Sequence, residues 1–154
     1  PFLMADRLRA TPVTIGIVMS GASGITALTS AQLGRLARRL REQRIVTLGF
    51  VVFAAGLVVI PAMPGILWMA FPVCLLGIAI GTTIPVVHTI LAGLAPPTRR
   101  AAFMSLNGMV LRLGQTVGPV AAAAVYGWLG IDAVFLAGAA LALAMAGLMT
   151  WTAR

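Results

Sequence analysis

Few residues in this chain can do chemistry, and the most telling of them is Arg112. It lies inside the apolar run that starts near Ala101. At 1.5 Å of rise per residue, that places it roughly 16 Å along a helix. A guanidinium buried in hydrocarbon costs at least about 2.5 kcal/mol on insertion scales, so such a residue faces a cavity or a partner. Helical spacing puts Ser105, Gly108, Arg112, Gln115, Thr116 and Pro119 on one face. Two readings of Arg112 are open. It binds an anionic group of a substrate or a carboxylate from elsewhere in the protein, or it snorkels to the interface and pairs with a carbonyl. His88 has the same duality. An imidazole is the side chain suited to a proton relay, yet it also fits a hydrogen-bonded polar residue near a helix end.

The rest of the inventory excludes whole classes of function. One Cys, one His and three acidic residues, scattered in sequence, make neither a zinc site nor a nucleophilic triad. No catalytic residue, metal or cofactor is expected, and the chain does not read as an enzyme. A phosphate-binding glycine loop is missing as well, which argues against an ATP-driven module. Cys74 stands in an apolar run and has no second cysteine to pair with.

The elements that position these residues follow from composition. Of 154 residues, 60% are hydrophobic and 9% charged, with a mean hydropathy of +1.05. A soluble domain carries about 25% charged residues to cover its surface, so the outer surface here faces lipid. The fold class is therefore all-α, a transmembrane bundle of about five spans at 12–33, 45–61, 66–94, 101–126 and 131–151, forming one unit over residues 1–154. Barrel strands are excluded because the apolar runs are continuous rather than alternating. The net charge of +8 does not signal nucleic acid. All eleven basic residues are Arg, and all but Arg112 sit in the gaps between or beside the apolar runs, where they act as topology signals. Arg35, Arg38, Arg39, Arg41, Arg44, Arg99, Arg100 and Arg154 fall on one side, and Arg7 and Arg9 on the other. The positive-inside rule then places the C-terminus in the cytoplasm of a cell whose inner membrane holds the chain. No leader precedes the first span, and a start at Pro1 reads as a truncation.

Polar residues are unevenly shared among the spans. The first, third and fourth hold nearly all of them, whereas the second and fifth are apolar almost all round. The second and fifth should therefore be peripheral and lipid-facing, while the other three face the interior or an aqueous path. Small residues at four-residue spacing (Gly16, Ser20, Gly24; Gly77, Gly81; Gly114, Gly118) allow close helix approach, whether for tight packing or for a sliding interface.

Three stretches together resemble the C-terminal half of a major facilitator superfamily transporter. Gly34-Arg-Leu36-Ala37-Arg38-Arg39-Leu-Arg41 resembles the family's cytoplasmic loop motif, Gly-x-Leu-Ala-Asp-Arg-x-Gly-Arg. Gly34, Leu36, Ala37 and Arg39 match, while Arg38 replaces the Asp and Arg41 the Gly. Gly114-Gln-Thr-Val-Gly118-Pro119-Val-Ala-Ala122-Ala123 is similar to the antiporter motif Gly-x-x-x-Gly-Pro-x-x-Gly-Gly, with Ala122-Ala123 in place of the last two glycines. Pro96-Pro97-Thr-Arg99-Arg100, followed by Ser105-Leu-Asn107, looks like the link between the tenth and eleventh helices. The resemblance implies helices eight to twelve, with Pro1 to Leu8 as the tail of helix seven and the N-terminal half missing. It also implies proton-driven efflux of drugs or small molecules by alternating access. Ser20, Ser23, Thr82, Thr83, Asn107, Arg112 and Gln115 would then line the substrate path near the midplane. A small accessory or structural membrane protein, acting as a partner subunit, is the alternative.

Overall fold

A computed structural model describes residues 11–38, 40–65 and 68–152. Among them are five long helices and no strands: α1 (Pro12–Ala37), α2 (Glu42–Val59), α3 (Ala70–Leu94), α4 (Arg100–Leu129) and α5 (Ile131–Thr152). Each contains a stretch long and apolar enough to cross a bilayer. Short 3-10 turns at Ile60–Ala62 and Pro97–Arg99 extend α2 and lead into α4.

The ends have local causes. Thr11 caps α1 by accepting from the Thr14 N–H at 3.3 Å, with Pro12 in the first turn, where its missing N–H costs nothing. α4 runs past Gly127 and stops at Gly130, whose φ of 82° lies in the left-handed region that glycine adopts freely. α1 also runs further than expected. Nothing in Gly34-Arg-Leu36-Ala37 breaks a helix, so those residues form its last turn rather than a loop, and the connection to α2 is short. Arg39 of the loop motif lies outside the described residues, as do Arg7, Arg9, Arg154, Ile66 and the stretch from Pro1 to Leu8.

The packing departs from the expected periphery. α2, apolar from Leu48 to Val59, is the centre of the described bundle: it packs against both α3 and α5, while α1 packs on α3. α4 leans more lightly on α5 and α3. Ile45, Val46, Gly49, Ala54 and Gly56 of α2 are buried, whereas no described residue of α1 or α4 is. The reason is size. A Cβ on Gly49 would collide with the Thr83 hydroxyl, and one on Gly56 would lie 3.0 Å from Leu76 Cδ2. These glycines let α3 come close enough for dispersion contacts, the main attraction left where lipid is as apolar as protein. On the other flank Ala54 meets Ala139 and Ala142 of α5.

α1 and α3 are joined by a more specific device. Pro85 lies inside α3 and has no N–H to give to the carbonyl of Gly81, one turn back. Ser30 Oγ of α1 donates to that carbonyl at 2.8 Å. One turn away, Thr26 Oγ1 donates to the Gly77 carbonyl at 3.2 Å. The close approach needs both glycines, because a Cβ on Gly81 would lie 2.6 Å from the Thr26 carbonyl oxygen and one on Gly77 3.1 Å from that of Ala22. Gly16, Gly24, Gly114 and Gly118 have open space where a Cβ would stand, so their stripes pack against nothing among the described residues.

This device predicts a coupling. Ser30→Ala should lower the unfolding stability of the purified membrane protein by about 1–2 kcal/mol, the upper range for interhelical hydrogen bonds. In a Pro85→Ala background, where the helix supplies the missing N–H itself, most of that loss should vanish. Equal losses in both backgrounds would contradict the assignment.

Candidate substrate pathway

The sequence-predicted pathway residues divide into two sets. Thr82 and Thr83 of α3 pack against α2. Thr82 is 8% exposed and is the buried polar residue of the core. Its Oγ1 donates to the Ile78 and Ala79 carbonyls of its own helix at 2.9 and 3.1 Å. Both threonines press on Gly49 of α2. A threonine that returns its hydroxyl to its own backbone behaves toward its neighbours as an apolar side chain, so it packs without asking for water.

The other residues lie on uncovered surface. Ser20 and Ser23 of α1 are exposed, and Ser23 Oγ donates to the Met19 carbonyl at 3.1 Å. Asn107 is half-buried, and Arg112 and Gln115 are exposed on α4. α1 and α4 rest on α3 and α5 rather than on each other, and no hydrogen bond joins their polar residues. His88 is exposed within the last two turns of α3.

Arg112 has no hydrogen bond or ion pair to its guanidinium among the described residues. Its own carbonyl accepts from Thr116 Oγ1 at 3.0 Å. One turn on, Pro119 gives no N–H to the Gln115 carbonyl, just as Pro85 gives none to Gly81. Here no side chain among the described residues supplies the replacement. A cation and a proline-freed carbonyl therefore share one uncovered face. Such groups are tolerated at membrane depth only against protein or water. The face is suited to an anionic group and a hydrogen-bond donor, or to a helix that carries both.

Sequence reasoning counted Ser30 and Thr26 only as polar residues of the first span and missed them as donors to α3. The signal was present: a proline four residues after a glycine marks a freed carbonyl at a place where another helix can come close. No cluster of His, Cys, Asp or Glu suited to a metal occurs among the described residues.

The Major Facilitator Superfamily family model matches residues 1–154. The chain is 36% identical over 117 residues to "Putative metabolite transport protein YncC" of Bacillus subtilis (strain 168), covering 75% of this chain and 25% of that protein. It is 27% identical over 148 residues to "Probable anion transporter 6" of Oryza sativa subsp. japonica, covering 96% of this chain and 34% of the relative. It is also 28% identical over 111 residues to "Putative metabolite transport protein YwtG" of Bacillus subtilis (strain 168), covering 72% and 24%. The chain thus spans about a quarter to a third of the length of these relatives.

The buried placement of Thr82 is checked by labelling in intact membranes, in a Cys74→Ser background. Thr82→Cys should stay unmodified by a water-soluble maleimide, while Thr98→Cys, in the exposed α3–α4 connection, reacts fully. Modification of both at similar rates would return Thr82 to an aqueous path.

Proposed function

Because this chain belongs to the major facilitator superfamily, and so to a multi-pass transporter rather than an enzyme, we propose that it forms helices eight to twelve of a secondary active transporter for small anionic metabolites. The observation that carries the substrate class is the α4 face: an exposed Arg112 guanidinium beside a proline-freed carbonyl, with Asn107 and Gln115 on the same helix. A fixed cation in a low-dielectric path selects for negative charge far more strongly than it would in water. The names of the relatives, a probable anion transporter and two putative metabolite transport proteins, agree with that choice.

In this reading the exposed polar faces of α1 and α4 line one wall of the path, and the other wall comes from an N-terminal half of the same protein. Alternating access is rocking of one half against the other around a site near the midplane. The packed set of α1, α3, α2 and α5 moves as a body. The arginine-rich connections at Arg35–Arg44 and Arg99–Arg100 lie on the cytoplasmic side of the cell membrane, with the C-terminus. A proton-coupling carboxylate would come from outside residues 1–154, since the carboxylates of this chain are Asp6, Glu42 and Asp132 and none lies mid-span.

A second reading, proton-driven drug efflux, is favoured by one feature: Gly114, Gly118 and Pro119 keep the spacing of the antiporter motif. The two readings part on the charge of the substrate. An accessory-subunit role has no feature of its own to support it.

The test is transport by the full-length protein in proteoliposomes. Arg112→Ala should lower uptake of an anionic substrate by about tenfold or more at unchanged expression, the scale of a lost charge-assisted hydrogen bond. Arg112→Lys should retain part of it. Unchanged anion transport by Arg112→Ala would refute the role, and transport of cationic drugs alone would favour the efflux reading.

A further inference from the structure

The arginine-rich end of the bundle holds a cleft well apart from the α4 face. The cleft, of about 510 Å³, opens between the start of α2 and the end of α5, lined by Arg41, Gln43, Arg44, Thr47, Leu48 and Thr150. We propose that this cleft binds the phosphate headgroup of an anionic phospholipid.

Three observations carry the assignment. The first is charge. Arg41 and Arg44 both line the cleft, and no carboxylate among the described residues does. Glu42 is exposed outside the lining, and Asp132 begins α5 at the opposite end of the bundle. Two cations that share a cleft without a carboxylate repel each other and leave room for an anion. A guanidinium pair offers phosphate the planar, bidentate donors it binds best.

The second is the backbone. Arg41 is the N-cap of α2, and its side chain makes no capping hydrogen bond. The Arg44 and Ile45 N–H groups reach back to the Arg41 carbonyl, at 2.9 and 3.2 Å. The Glu42 and Gln43 N–H groups open the helix with no carbonyl one turn back inside it. That positive end adds to the field of the two arginines.

The third observation separates a lipid from a free phosphate. An uncovered apolar track leaves the cleft along α2: Leu48 is 53% exposed, Val51 42% and Val58 48%. These residues fall within one helical face, directed from the headgroup end toward the middle of the span. A headgroup seated on Arg41 and Arg44 would lay an acyl chain along that track, at the depth where hydrocarbon belongs. The site rests only on the membrane-spanning fold and not on the substrate of the path.

The experiment is native mass spectrometry of the full-length protein in detergent, with dioleoyl phosphatidylglycerol or dioleoyl phosphatidylcholine added. Phosphatidylglycerol should be retained in preference to phosphatidylcholine. The double variant Arg41→Gln/Arg44→Gln should lose that preference by roughly tenfold or more. Arg99→Gln/Arg100→Gln removes the same charge from another connection and should keep it. Thr150→Trp leaves both arginines in place and fills the cleft, so it should also expel the lipid while the protein keeps its thermal stability. Equal losses in the two double variants would reduce the effect to diffuse electrostatics and overturn the site. So would full retention in Thr150→Trp, or displacement of the lipid by millimolar inorganic phosphate.

Discussion

The hydrogen bond from Ser30 Oγ to the Gly81 carbonyl is the interaction on which the arrangement turns. In hydrocarbon there is no water to satisfy a backbone group, so a proline inside a spanning helix creates a debt that another side chain must meet. Pro85 frees the Gly81 carbonyl, and α1 must come close enough for a serine to reach it. Closeness requires glycine at 77 and 81, because a Cβ at either would press on an α1 carbonyl. Thr26 and Ser30 are one turn apart and meet carbonyls one turn apart, with the same separation of 51 residues in each pair. That constant offset makes α1 and α3 parallel, as two spans divided by one intervening span must be, and it fixes their register. α2 can then close on the other side of α3 through Gly49 and Gly56, and α5 on the far side of α2 through small residues.

α4 poses the same problem and solves it differently. Pro119 frees the Gln115 carbonyl, yet no described side chain caps it, and Arg112 lies one turn earlier without a partner for its guanidinium among the described residues. The contrast between the two prolines separates a carbonyl capped within the chain from one left open among the described residues. Where a freed carbonyl is capped from within the chain, the helix is held. Where it is left open beside an unpartnered cation, the helix waits for water, a substrate or another part of the protein. Lipid satisfies neither group.

Much of this was legible in the sequence, and the failures have physical causes. Continuous apolar runs gave the five spans, since only a helix can satisfy its own backbone across a bilayer. Gly77 and Gly81 were recognisable as a close-approach stripe. The role of α2 was not, because a helix that is apolar all round carries no periodicity to say which side packs. Lipid is as apolar as a neighbouring helix, so an absence of polar residues does not imply an absence of neighbours, and small residues were the better guide. For Thr82, residue type gives a hydroxyl, but only geometry shows that it donates to the carbonyls of its own helix. Gly114 and Gly118 had the right spacing for a packing stripe and meet no neighbour among the described residues. Spacing states what a helix permits, and the partner decides whether it is used.

The claim that α4 presents a wetted polar face to a path is tested most directly by a spin-label scan of residues 105–120 in the full-length protein, reconstituted in bilayers. Each position is assayed for collision with a water-soluble nickel complex and with oxygen, which partitions into lipid. The account predicts that positions 105, 108, 112, 115, 116 and 119 favour nickel while 106, 110, 113, 117 and 120 favour oxygen, with the period of an α-helix. Oxygen-dominated collisions at every position, with no such period, would place α4 in lipid on all sides and contradict the account.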